Sequence, residues 1–212
     1  GYASNGSKDF RVNTNRVFRD TSAFYHVMAV VDTTQATASD RVKLYVNGVQ
    51  ETSFSEATYP SQNYDTAFNS AVDSLVGLRK NTSTYFEGSM SHVSIVDGAA
   101  LAPTVFGETD STSGAWVPKT APSVTYGTNG FFLKFANSGN LDLDSSPNNL
   151  TFATSGTLTQ RQSSPTNLYN ALNFAASHDN ATGISLSNCN TSFNSGSSIN
   201  YALAVPNMAF NK

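Results

Sequence analysis

The stretch that most constrains the fold is Arg41–Gln50, RVKLYVNGVQ. Val42, Leu44 and Val46 alternate with Arg41, Lys43 and Tyr45, the period-two pattern of a half-buried strand. Asn47-Gly48 interrupts that pattern. A two-residue hairpin turn whose twist matches its strands needs positive φ at both central positions, which Gly adopts freely and Asn tolerates. The stretch therefore predicts a β-hairpin with Gly48 in the left-handed region.

Composition agrees with a strand-based fold. Of 212 residues, 39% are hydrophobic and only 13% charged, and about a third are Ser, Thr or Asn. That mixture favours strands, turns and loops over helices, and the length suits a single β domain or a domain with part of another. The formal net charge of −3 comes with no basic run, so the electrostatic footprint of a nucleic-acid binder is missing. A single cysteine, Cys189, excludes an intrachain disulfide framework and a multi-cysteine zinc site. No run of 18 apolar residues predicts a membrane span, and the first residues do not resemble a secretory signal. The chain starts at Gly1 and reads as a piece of a longer polypeptide.

Along the chain, FYHVMAVV (24–31) is an apolar run of strand length, followed by the polar loop DTTQATASD. After the hairpin, Thr52–Ser70 reads as a long polar and aromatic loop suited to binding. VDSLVGLRK, STYFEGSMSHVSIVDG and GFFLKFAN supply further strands, and ALAPTVFGE and LYNALNF are the only short helical turns expected. WVPKTAPSVTY, with Pro118 and Pro122, reads as a stiff connector, placing a boundary near Lys119. The fold class is thus all-β, an antiparallel β-sandwich or jelly roll.

The order of these segments resembles a known family. RDTSAFYHVMAVVDTTQATASDRVKLYVNGVQ, then LVGLRKNTSTYFEGSMSHVSIVDGAALAPTVFGE, is similar to the second half of a concanavalin A-like jelly roll of the laminin-G/pentraxin type, over about Asp20–Trp116. It most resembles such modules in virion proteins of tailed bacteriophages. GTNGFFLKFANSGNLDLDSSPNNLTFATSGTLTQRQSSPTNLYNALNF resembles the unit that follows the jelly roll there, and INYALAVPNMAFNK the start of an SPRY-like module. The resemblance implies residues 1–118 as the C-terminal part of a jelly roll, 119–170 as a linker with short strands, and 171–212 as the start of a following β module. It further implies a virion location in a tail fibre, tail tip or capsid decoration. The implied partners are other virion subunits, host-surface glycans and further copies of the chain.

The same fold hosts glycosidases, which need two carboxylates about 5–10 Å apart. GSMSHVSIV carries no acid and Glu87 stands alone before it, so the expectation is a non-enzymatic protein; the alternative is a glycan-degrading enzyme using a pair such as Glu51 and Glu56. His26, His92 and His178 are the only histidines, and no Gly-x-Ser-x-Gly elbow is present. A histidine inside a strand is more often packed than catalytic. Sugars are bound by exposed aromatic faces and amides on loops, which makes Tyr59, Gln62, Asn63 and Tyr64 the carbohydrate-binding candidates, against the plainer reading that the two tyrosines cap the sandwich edge. No cofactor is required. Asp142, Asp144 and Asn148 in LDLDSSPNN offer hard oxygen ligands to Ca²⁺, although the run lacks a full calcium-loop pattern. Asp32, Asp40 and Asp97 are a second set, by likeness to calcium sites of some family members. Asn5, Asn81, Asn149, Asn180 and Asn190 match the glycosylation pattern, as chance allows in so Ser/Thr-rich a chain.

Overall fold

The computed structural model describes residues 10–20, 23–66, 75–78 and 85–160, and the backbone of four short strands beyond them. The chain divides into two compact units, Gly1–Gly156 and Thr157–Lys212. In the first unit β1 (Arg11–Thr14) pairs with β5 (Phe54–Thr58), while β2 (Val27–Val31), β3 (Val42–Val46) and β4 (Val49–Gln50) form a three-stranded sheet. β6 (Val93–Ile95) pairs with β9 (Phe131–Leu133), and β7 (Gly107–Thr109) with β8 (Trp116–Pro118). In the second unit β10 (Leu172–Asn173) pairs with β13 (Val205–Pro206), and β11 (Ile184–Ser187) with β12 (Ser192–Ser195). Every named pairing is antiparallel. The described helical structure amounts to two short 3-10 turns, Ala38–Asp40 and Pro103–Val105.

The hairpin forms as expected. Asn47 and Gly48 have φ of 49° and 77°, the double positive φ of a type I′ turn. Val46 faces Val49 across it, and on the other side Val27 faces Val46. β2 begins only at Val27, because the His26 backbone is engaged with the turn: its N–H donates to Asn47 Oδ1 at 2.8 Å, and its carbonyl accepts from the Asn47 N–H at 2.8 Å.

Four expectations change. Of VDSLVGLRK, the described residues 75–78 form no named strand, only the isolated bridge of Leu78 with Tyr85. Thr52–Ser70 is not one loop, because β5 lies within it. FSEAT has weak strand propensity, but Arg11, Val12 and Asn13 pair with Thr58, Ala57 and Glu56, so a partner more than 40 residues away supplies what local sequence does not. WVPKTAPSVTY is not wholly a connector, since its first three residues form β8, with Pro118 at the strand end where losing a ladder donor costs least. Of LYNALNF, Leu172 and Asn173 are described, as strand rather than helix, and the rest lies outside the described residues. ALAPTVFGE does contain its expected turn, at Pro103–Val105.

Among the described residues the buried apolar side chains are Val42, Val46, Tyr126, Phe131, Phe132 and Leu133, with Pro60 and Pro103. Three consecutive buried residues in β9 mean that both faces of this strand are covered. Phe132 meets Tyr126 and His92 at ring-centroid distances of 6.2 and 5.8 Å. Phe131, pointing the other way, meets Phe152 edge to face at 4.8 Å. Beside this core lies the sole tryptophan, Trp116, with its ring against two glycines. A Cβ built on Gly48 would fall 2.7 Å from Trp116 Cε3, and one on Gly107 2.6 Å from Trp116 Cε2.

The two glycines separate two effects. Gly107 has no positive φ, so Gly107→Ala tests room alone and should cost about 1–3 kcal/mol through overpacking. Gly48→Val adds left-handed strain of about 1–3 kcal/mol on a β-branched residue and should lower the urea midpoint further. Urea unfolding of both variants measures this; a Gly107→Ala protein as stable as the parent would show that Trp116 is not wedged there.

Candidate functional site

The loop after β2 and the loop after β5 are locked together by main-chain and amide contacts. Asp32 ends the first strand and turns the chain: Oδ1 accepts from the Thr34 N–H (3.1 Å) and hydroxyl (2.6 Å), and Oδ2 from Gln35 Nε2 (2.6 Å). The Thr34 hydroxyl, the Gln35 amide and the Thr34 N–H together hold the Asp32 carboxyl below its ordinary value. Arg41, opening the hairpin, donates from Nε to Gln35 O, from Nη2 to Ala36 O and from Nη1 to Pro60 O, each at 2.8 Å. A guanidinium suits this work because its donors form a rigid planar fork.

The four sugar-binding candidates sit on the second loop. Gln62 Nε2 donates to Thr34 O at 3.0 Å, and the Asn63 N–H to Thr33 O at 2.8 Å. Asn63 has φ of 56°, which an Asn tolerates at a sharp turn. The Tyr64 N–H donates to Ser61 O at 3.2 Å. Gln62 and Asn63 are exposed, whereas Tyr59 and Tyr64 are half-buried. All four lie on this loop, and Gln62 also serves as its brace. Sequence reasoning missed Arg41: its partners are carbonyls 5, 6 and 19 residues away, and no side-chain pattern reveals such contacts.

The metal candidates occupy a different place. Asp144 is 4% exposed, and its oxygens are taken by four donors. Oδ1 accepts from the N–H groups of Phe132 (2.9 Å) and Ser146 (2.8 Å), Oδ2 from Ser146 Oγ (2.9 Å) and the Leu150 N–H (2.8 Å). Burial alone would raise its pKa, but the N–H groups of Phe132, Leu150 and Ser146 with the Ser146 hydroxyl outweigh it and hold the carboxyl below the ordinary 3.8. Asn148 Nδ2 donates to the carbonyls of Gly127 (2.6 Å) and Gly130 (2.8 Å). Asp142 is engaged apart from them, accepting from Thr154 Oγ1 at 3.0 Å. Asp40 pairs with Lys43 at 3.2 Å, and Asp97 Oδ2 accepts from Asn129 Nδ2 at 3.0 Å, so neither joins Asp32. No group of three or more His, Cys, Asp or Glu suited to a metal ion occurs among the described residues.

The two acids considered as a hydrolytic pair are each engaged. Glu51, 7% exposed, accepts from Thr14 Oγ1 at 2.6 Å and pairs with Arg16 Nε at 2.7 Å. The Thr14 hydroxyl first, then Arg16, holds its carboxyl below the usual range. Glu56 pairs with Arg11 at 3.0 Å. His92 is also half-buried, with Nδ1 2.5 Å from Ser91 Oγ, and burial, aided by Lys134, lowers its pKa. His178 and Cys189 lie outside the described residues. No helix among the described residues is long and apolar enough to cross a membrane.

Residues 1–106 match the family model of the concanavalin A-like lectin/glucanases superfamily. The chain belongs to that superfamily, and its antiparallel strands with almost no helix are those of the superfamily's β-sandwich. No curated protein and no solved structure matches it significantly.

Asp144→Asn should lower stability by about 1–3 kcal/mol, because an amide nitrogen then faces donors that lose their buried acceptor. The folded-state pKa of Asp144 is depressed, so its contribution is complete above about pH 3.8 and is lost as pH falls through the lower folded value. With all four donors already in place, millimolar Ca²⁺ should leave the Tm unchanged. A calcium-induced rise in Tm that Asp144→Asn abolishes would assign the loop to a metal instead.

Proposed function

We propose that this member of the concanavalin A-like lectin/glucanases superfamily is a non-enzymatic recognition module of a tailed-phage virion protein. Its loops contact host-surface glycans or neighbouring virion subunits. The observation that carries the reading is the braced loop pair: Arg41 and Gln62 hold residues 32–36 and 59–64 in one arrangement, and the second loop carries two half-buried tyrosines, Tyr59 and Tyr64, beside the exposed Gln62 and Asn63. A loop ordered before binding loses less entropy when it meets its ligand. Aromatic faces with adjacent amides are the groups a pyranose ring recognises, through stacking and bidentate hydrogen bonds.

The virion setting rests on the resemblance of the segment order to phage proteins, as do the SPRY-like module from residue 171, association with further copies of the chain, and location in a tail fibre, tail tip or capsid decoration. The non-enzymatic reading is supported by the state of the acids. Glu51 and Glu56 are tied to Arg16 and Arg11, whereas a glycosidase needs one carboxyl with a raised pKa beside a free carboxylate. Glu51→Gln should therefore lower the Tm, and no oligosaccharide should be released from capsular polysaccharide by either protein. Release that Glu51→Gln abolishes would restore the enzymatic alternative.

Glycan-array binding tests the site itself. Tyr59→Ala and Tyr64→Ala should each keep the Tm within a few degrees of the parent and reduce the array signal about tenfold or more, the loss of about 1.4 kcal/mol of stacking. A parent protein blank on the array would remove glycan recognition and leave only the contact with other virion subunits.

A further inference from the structure

We propose that the His26 imidazole and the Trp116 indole form a pH-gated latch: neutral His26 fastens the β7–β8 hairpin to the Asn47-Gly48 turn, and protonation of His26 releases it. The latch lies away from the loop surface of the proposed function and does not rest on it.

Trp116 Nε1 stands 3.0 Å from His26 Nδ1. An indole nitrogen can only donate, so Nδ1 must be bare and the imidazole proton must sit on Nε2. The two rings lie 26° apart in plane with centroids separated by 5.9 Å. The His26 backbone is held at both its N–H and its carbonyl by Asn47, which fixes the ring beside the turn. Once protonated, both imidazole nitrogens are donors, and no rotation of the ring restores an acceptor to the indole. Among the described residues β7 and β8 pair only with each other, so no ladder ties the hairpin to the turn, and protonation leaves only the packing of the indole on Gly48 in place of packing plus hydrogen bond.

Burial of His26 works in the same direction. It disfavours the imidazolium and lowers the pKa below the ordinary 6.5. No charged group contributes to that shift. On the elements packed around His26, Lys43 is opposite Val30 with Arg41 beyond it, and Glu108 is opposite Val117. Asp110 is held by the Ser113 N–H and hydroxyl in the turn between β7 and β8. Tyr25, the neighbouring residue, packs on Phe18. The sign is therefore set by His26 itself. The folded pKa is depressed, so the latch is fully closed above about pH 6.5 and opens as pH falls through the lower folded value.

Trp116 is the only tryptophan in the chain, so its emission reports the latch directly. Titration of the whole chain from pH 8 to 4.5 should give a sigmoidal change in fluorescence with a midpoint below 6.5, while far-UV circular dichroism stays constant. His26→Gln keeps a carbonyl acceptor that does not titrate, and its emission should be flat across the range; His92→Gln should titrate as the parent does. The sole indole N–H resonance of the unmodified protein gives a second reading, protected from exchange at pH 7.5 and unprotected at pH 5. A flat parent titration, a His26→Gln protein that titrates like the parent, or loss of secondary structure in step with the emission would each overturn the latch.

Discussion

The packing of Trp116 between Gly48 and Gly107 is the contact on which the arrangement of the first unit turns. Two hairpins far apart in sequence, one ending at Gln50 and the other beginning at Gly107, meet through one side chain, and neither glycine can carry a Cβ without displacing the ring. The Asn47-Gly48 turn thereby has two reasons for its glycine. Backbone twist demands positive φ, and the indole demands an empty space. His26 completes the contact by giving the half-buried indole N–H an acceptor.

Because few large apolar side chains are buried among the described residues, much of the structural definition there falls to polar groups. Asp144 organises the chain after β9, gathering four donors from 132, 146 and 150 onto one carboxylate. Glu51 fastens the end of β1 through Thr14 and Arg16. Arg41 fastens the two exposed loops. Each is a charged hydrogen bond, stronger than its neutral counterpart, and each becomes costly if one partner is removed from a buried setting. The same acids that a search for catalytic pairs or metal ligands would single out are thus engaged in holding the backbone.

This division of labour has a consequence for recognition. Residues 59–64 reach the surface on a loop whose main chain is already anchored to residues 32–36, and the side chains that brace it are Arg41 and Gln62. A surface of this kind can vary its contact residues without disturbing the brace, as binding loops on a fixed scaffold commonly do.

The all-β class, the hairpin at Arg41–Gln50, the positive φ at Gly48 and the apolar strand through Val31 were written in local sequence, because alternation and turn chemistry are properties of neighbouring residues. The segment order from Asp20 to Trp116 also carried the superfamily. The sequence grouped Tyr59, Gln62, Asn63 and Tyr64 on one loop but gave no sign of Arg41 as its brace. β5 depends on Arg11–Asn13 for its pairing, and β8 follows Gly107–Thr109 despite two nearby prolines. The roles of Asp144, Glu51 and His26 likewise depend on partners that folding brings from 12, 35 and 90 residues away. Local patterning determines which segments can be strands; only the tertiary structure decides which carboxylate, guanidinium or imidazole meets which distant donor, because those contacts form between residues whose separation along the chain carries no periodic signal.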